Sequence, residues 1–501
     1  MKRKSLAAVF SLAGVAALAA DVSFIEPLIV PRPVEMEVAT NVLVRLDAVA
    51  VECATGGDEA GAWADAKARA WFGKTVGVSR RTFAGGPVPG GDEAYELIAD
   101  EGGVRIRANA PAGVKHAFST LRQSAVAARG TRTTEGRVLP GLVVRDRPAL
   151  AFRGIHLCWF PGVTYAQMER HVRMAAYYKF NYAVIEPWAV YRWRRHPDFC
   201  WPDASVAADD LGRLAALGRD LGVTVCPQLN VFGHAAMSRF VGGKHATLDL
   251  HPEYEPLFEP LGGWNWCLSN PHARKLLSDL VDDLHEAMGR PPFFHIGCDE
   301  AHEPTCPSCR TFNYQSLVAE HIAQIAAQLR ERGARALMWH DMLLSEVDPR
   351  WEGFYAKGST RAGELLAALP KDIVVCDWFY GAPTNAYPTM DHFKASGHDV
   401  LVCPWQNPDG IAAQGAAARE KGLMGLLATT WNRAYGRNHA TFLIAAAHAG
   451  WGTSPARYDK SFGIVTVATH ERHVGWDMRV SGRRETGFAS DDVPETTVVD
   501  P

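Results

Sequence analysis

From Phe152 onward the chain repeats one texture: a short apolar run, a polar loop, then a segment with helical spacing. The apolar runs are FRGIHLC, YAVIEPW, TVCPQLNV, FFHIGCDE, ALMWHDM, IVVCDWF, VLVCPWQ and GLLATTW. Helical periodicity fills segments between them, as in TYAQMERHVRMAAYYK and SLVAEHIAQIAAQLRERG. Strands without polar alternation are buried on both faces, and alternation with helices makes their sheet parallel. Eight such units predict an α/β fold, a (β/α)8 TIM barrel, whose chemistry gathers at the C-terminal strand ends. Those ends carry Glu186, Asn230, His234, Asp299, Glu300, Trp339, Asp341, Asp377, Trp378, Trp405 and Trp431.

Ahead of Phe152 the pattern differs. Tyr95–Ala99 and Val104–Ala108 alternate as strands around a Gly-Gly turn, and Ala112–Val126 has a helical period. Strands followed by a helix predict a small α+β domain that precedes the barrel and ends near Asp146-Arg147-Pro148. At the N-terminus, Lys2, Arg3 and Lys4 precede an apolar run and a small-residue Ala17-Leu18-Ala19 site. That is the pattern of a secretory signal peptide, too short for a membrane span. The expected organisation is a signal peptide at 1–20, the α+β domain at 21–148, the barrel at 149–455 and a partly disordered extension at 456–501. The protein is expected to be exported, to periplasm or exterior, with no membrane anchor.

Composition narrows the partners. The chain has 501 residues and a formal net charge of −3, which offers no basic field for nucleic acid. Its 15 Trp are many for this length, and indole rings stack on the flat apolar faces of sugars. Of the ten cysteines, Cys158, Cys226, Cys376 and Cys403 sit singly inside apolar runs and read as buried thiols. Cys298, His302, Cys306 and Cys309 together look like a zinc-ligand set, but without the spacing of a standard two-knuckle site. A local disulfide or free thiols fit the same residues.

The fourth barrel run ends in two adjacent acids, Asp299 and Glu300. Neighbouring carboxylates resist joint ionisation, an arrangement costly for stability and useful for acid catalysis. A solvated loop pair would carry the same letters, but the apolar approach and the barrel position favour catalysis. The residues His295-Ile296-Gly297-Cys298-Asp299-Glu300 resemble the H-I-G-G-D-E motif of glycoside hydrolase family 20, the β-N-acetylhexosaminidases. RDRPALAFRGIHL at 145–157, the run Val223–His234 and the spacing of Trp339, Trp378 and Trp431 are similar to that family in order. The resemblance covers roughly residues 30–455.

The resemblance implies a glycan substrate and no cofactor or catalytic metal. In the implied mechanism the substrate's own 2-acetamido oxygen attacks the anomeric carbon. Asp299 would orient the acetamido group, and Glu300 would act as acid and then base. Trp339, Trp378 and Trp431 would wall the N-acetyl pocket, with Trp405 beside them and Tyr380 as the hydroxyl donor. His234 would support the pocket and His295 would orient the acid loop. Glu186 and Asp341 would bind sugar hydroxyls, or else close the rim as ion pairs with Arg192, Arg194 or Arg195. The chain also departs from the family pattern. Cys158-Trp159-Phe160 stands where the family commonly has an arginine, the second strand ends Glu186-Pro187-Trp188, and the eighth reads Trp431-Asn432-Arg433. A branch resembling hexosaminidase D shares some of these changes and often carries Cys-x-x-Cys after the acids. Three readings follow: an exo-β-N-acetylhexosaminidase, a non-catalytic glycan-binding relative, or a glycosidase for another sugar.

Overall fold

A computed structural model describes residues 26–127, 137–200, 206–236, 247–260, 262–431 and 439–454. The expected signal peptide, the C-terminal extension and Asn432-Arg433 lie outside the described residues. Among the described residues no helix is long and apolar enough to cross a membrane.

The first sheet contains β1 (Glu35–Arg45), β2 (Ala48–Cys53), β3 (Gly77–Arg81), β4 (Tyr95–Asp100), β5 (Gly103–Ala108) and β6 (Val138–Asp146). Their spatial order is β1-β6-β4-β5-β2-β3. Alternation along β4 and β5 turns Leu97, Val104 and Ile106 inward. They pack with Ala64, Ala68, Val114, Phe118 and Leu121 from α1 (Gly57–Phe72) and α2 (Pro111–Ala127). This is the expected small α+β unit.

The barrel begins at β7 (Phe152–Trp159) and continues α3 (Tyr165–Tyr177), β8 (Tyr182–Pro187), α4 (Ala208–Leu221) and β9 (Thr224–Pro227). A short turn, α5 (Thr247–Leu250), lies in the connection to α6 (Pro271–Ala287), which leads to β10 (Phe293–His295). The circuit finishes with α7 (Tyr314–Glu331), β11 (Arg335–Trp339), α8 (Ala362–Ala368), β12 (Val374–Phe379), α9 (Pro388–Ala395), β13 (Asp399–Pro404), α10 (Pro408–Glu420), β14 (Gly425–Ala428) and α11 (His439–Trp451). Helix starts are written locally: Thr164 and Gln167 make a capping box on α3, and Asn270-Pro271 opens α6.

All eight apolar runs become parallel strands, and β14 pairs back onto β7. Between β9 and β10 the ring closes through a Gln228–His295 bridge, with Leu229 N–H donating to His295 O at 3.0 Å. Phe152, Val184, Cys226, Leu337, Val374, Cys376, Leu401, Cys403 and Leu427 fill the interior. Cys158, Cys226, Cys376 and Cys403 are buried and in no disulfide. The two domains meet over a fully buried ion pair, Lys179 Nζ to Asp146 Oδ2 at 2.8 Å. Trp451 Nε1 donates to the other Asp146 oxygen at 2.7 Å, and Tyr95 OH to Oδ2 at 2.6 Å.

Candidate active site

Adjacent residues on a regular strand point to opposite faces, so the two acids need a break in the strand to share a pocket. That break follows β10. Gly297, Cys298 and Glu300 all have positive φ, at 67°, 75° and 49°. The result is convergence on one imidazole: His234 Nε2 lies 3.4 Å from Asp299 Oδ2 and 3.3 Å from Glu300 Oε2. The turn is enforced by close approach. A Cβ on Gly297 would stand 2.0 Å from Asn230 Oδ1, and one on Gly233 would stand 2.3 Å from Asp299 O. Asn230 Nδ2 donates to Asp299 Oδ1 at 2.8 Å, and Trp264 Nε1 donates to Glu300 O at 2.7 Å. Asp299 is 6% exposed, whereas the Glu300 side chain is 41% exposed. The inner acid is therefore enclosed and the outer acid is open to solvent.

Further non-glycine residues with positive φ surround this mouth: His234 (51°), Tyr355 (54°), Gln406 (62°) and Trp431 (42°). Strained backbone clusters where function holds it in place.

Asp341, just past β11, supports the acid turn from behind. Its Oδ2 accepts the Glu300 N–H at 2.7 Å and its Oδ1 accepts Trp378 Nε1 at 3.3 Å. Burial, then the charge of Asp299, pushes the Asp341 carboxyl up to about 8. The charges of Asp299 and, less strongly, Glu300 both act on Asp341, which follows a different strand.

The aromatic candidates form one continuous wall. Trp339 lies 5.5 Å from Trp431, whose Nε1 donates to Tyr380 OH at 2.7 Å. Tyr380 lies 5.2 Å from Trp378 and 5.3 Å from Trp405. Burial holds the Tyr380 phenol well above its usual value, so it remains a neutral donor. Trp339 is fully buried and forms the floor, while Trp378, Trp405, Tyr380 and Trp431 rise around it. His295 Nδ1 accepts the Gly297 N–H at 3.0 Å and its ring lies 4.1 Å from Trp339.

Glu186 sits across the mouth. Its Oε2 accepts Trp188 Nε1 at 3.0 Å and lies 4.0 Å from His156 Nε2, and that imidazole packs 4.8 Å from Trp431. The rim ion pairs considered for Glu186 and Asp341 go elsewhere for two of the arginines: Arg194 pairs with Asp283 and Glu286, and Arg195 with Asp282 and Glu286. Those acids lie on α6, which passes closer to the loop after β8 than the strand ends do.

Three contributors were not anticipated. Trp264 packs on His234 at 4.3 Å, Tyr355 covers Trp378 at 4.5 Å, and His340 Nδ1 accepts the Trp378 N–H at 3.1 Å. Trp264 and Tyr355 lie on irregular loops, so no period marked them. The expected cysteine grouping is also corrected. Cys298 Sγ turns to Ile296 O and His302 stacks toward Trp264, while Cys306 and Cys309 meet Cys267 and Glu259. The loop after β9 delivers those two residues, and sequence proximity hid them.

Comparison with known proteins places this geometry. Residues 26–147 match the family model described as glycosyl hydrolase family 20, domain 2, and residues 202–441 match that of the same family's catalytic domain. The catalytic match begins after β8, so two of the three strand ends that depart from the family pattern lie outside it and the third, at Trp431, lies within it. A β-N-acetylhexosaminidase of Cellulomonas fimi is 27% identical over 284 residues, 52% of this chain and 53% of the relative. A β-hexosaminidase of Porphyromonas gingivalis is 22% identical over 62% of this chain and 44% of its own. The chain thus spans about half the length of these curated relatives. A family 20 exo-β-N-acetylglucosaminidase from Vibrio harveyi, solved with N-acetylglucosamine, shares the fold at TM-score 0.66 and 16% identity, over 90% of this chain and 78% of that one. A Bacteroides fragilis β-N-acetylhexosaminidase does so at TM-score 0.65 and 17% identity, over 88% and 95%.

Proposed function

The chain belongs to glycosyl hydrolase family 20, and from that premise we propose that it is an exported, retaining exo-β-N-acetylhexosaminidase that works by substrate-assisted catalysis. The observation that carries the reading is the convergence of Asp299 and Glu300 on His234 beside an aromatic cup. A buried acid and an exposed acid meeting at one point divide the labour. Asp299 accepts the acetamido N–H and faces the positive charge that grows as the carbonyl oxygen attacks the anomeric carbon. Glu300 gives its proton to the leaving oxygen, then takes one from the water that opens the oxazolinium. Asn230 and His234 fix Asp299, and Trp264 with Asp341 fixes the Glu300 backbone.

Tyr380 directs its hydroxyl to the acetamido oxygen, with Trp431 Nε1 bonded to the phenolic oxygen to set its direction. Trp339, Trp378, Trp405 and Trp431 enclose the methyl group and exclude water. Glu186, on the side where no arginine ends β7, receives sugar hydroxyls. The Asp299 carboxylate beside the cup suits a reaction whose transition state is cationic. Export rests on the basic and apolar N-terminal sequence, and an N-terminus near Ala20 or Asp21 in the secreted protein would test it.

The deciding experiment compares an aryl N-acetyl-β-glucosaminide with the aryl β-glucoside and adds a stable thiazoline inhibitor. Without the acetamido group there is no internal nucleophile, and the glucoside should react at least about a thousandfold more slowly, the scale of lost positioning. The thiazoline, which mimics the bicyclic intermediate, should inhibit far better than free N-acetylglucosamine. Equal rates on both sugars without thiazoline inhibition would reject the mechanism; no turnover of either would favour a glycan-binding relative.

A further inference from the structure

Beside the active site, two loops are joined by an unusual set of side chains. The loop after β9 supplies Glu259 and Cys267, and the acid loop supplies Cys306 and Cys309. Cys267 Sγ is 3.7 Å from both Cys306 Sγ and Cys309 Sγ. One potential ligand atom from each of the four residues lies within 4.8 Å of the others. A tetrahedron with sulfurs about 2.3 Å from its centre has edges of about 3.8 Å, so the sulfurs already stand at the separation a tetrahedral ion imposes. Glu259 is 4% exposed, and its Oε1 is buried without a hydrogen-bond partner. Its other oxygen is held by the N–H groups of Thr305 at 2.8 Å and Cys306 at 2.7 Å. A buried carboxylate oxygen with nothing to bind is unfavourable, and a cation would satisfy it. The Cys309 N–H also donates to Cys306 Sγ at 3.2 Å, an outer-shell bond that favours a thiolate.

We propose that Glu259, Cys267, Cys306 and Cys309 bind one zinc ion in a closed tetrahedral site that clamps the two loops together. Thiolate-rich tetrahedral sets select zinc over the hard divalent cations. Four protein ligands leave no open position, so the ion is structural. It sits behind the contacts that hold the acid turn: Trp264 Nε1 to Glu300 O at 2.7 Å and Asn265 Nδ2 to His302 O at 2.7 Å. A disulfide between any two of the cysteines would leave the buried Glu259 Oε1 without a cation.

The test is elemental analysis of the purified full chain after incubation with excess zinc sulfate and dialysis against metal-free buffer. About one zinc per chain is expected, given the affinities of structural sites, and cobalt(II) loading should give the intense visible bands of tetrahedral thiolate coordination. Cys267→Ser and Glu259→Gln should each weaken retention at least about tenfold, and Cys298→Ser, a buried thiol outside the set, should keep the ion. Chelation should lower the thermal midpoint of the wild-type chain and expose three further thiols to a thiol reagent. Wild-type protein that retains no zinc, shows a Cys267 disulfide in its peptide map, or gives octahedral cobalt spectra would overturn the proposal. Because those readings use the wild-type chain, misfolding of a variant cannot decide the matter.

Discussion

Replacing Asp299 with asparagine separates the catalytic role of this carboxylate from its structural cost. Asparagine preserves the shape and can still offer an oxygen to Asn230 Nδ2, which donates at 2.8 Å. It removes the charge that faces the developing cation and turns an NH2 toward His234. Loss of one preorganised transition-state contact costs about 2.7–4 kcal/mol, or about 100- to 1,000-fold in rate. Stability should move the other way. Burial first, and then the Asp299 charge, raises Asp341 to about 8, whereas an unfolded aspartate titrates near about 3.9. Between those values the folded chain holds a proton that the unfolded chain has lost, so the contribution of Asp341 to stability is greatest below about 3.9. It falls as pH rises, by at most about 1.4 kcal/mol per pH unit, and levels off above about 8. With asparagine at 299 the upper limit of that window moves to lower pH and the fold is no weaker at pH 7. The assay is kcat/KM on an aryl N-acetyl-β-glucosaminide, paired with denaturant midpoints at pH 5, 6, 7 and 8. A variant within tenfold of wild-type activity would refute the catalytic assignment. A uniform loss of stability at every pH would refute the repulsion between the two carboxyl groups.

Glu300→Gln should lose far more activity on substrates with poor leaving groups than on activated aryl glycosides, since only the former need a proton on the departing oxygen; equal losses in steady-state kinetics would remove Glu300 from that role. Gly297→Ala drives a methyl group into Asn230, 2.0 Å away at a φ of 67°; left-handed backbone and overpacking together should cost about 2–5 kcal/mol, with loss of activity through the displaced Asn230, and an unchanged thermal midpoint would show that the turn does not need glycine.

The barrel itself was legible because its signal is local. Strands buried on both faces carry continuous apolar runs wherever they stand in the chain, and helices keep their 3.6-residue period. The run ending in Asp299-Glu300 and the strand-end tryptophans were visible for the same reason, since a parallel barrel places all C-terminal strand ends on one face. What the letters left open depended on chain paths between the strands. That two neighbouring acids share a pocket follows from positive φ at Gly297, Cys298 and Glu300 and from the lack of room for a Cβ beside Asn230. Trp264 and Tyr355 reach the site on aperiodic loops, which leave no periodic trace. The coupling of Asp299 to Asp341 and the meeting of Glu259 and Cys267 with Cys306 and Cys309 join residues about 40 to 50 apart in sequence. Electrostatic coupling and ligand geometry act through space at a few ångströms, so only the folded chain could pair them.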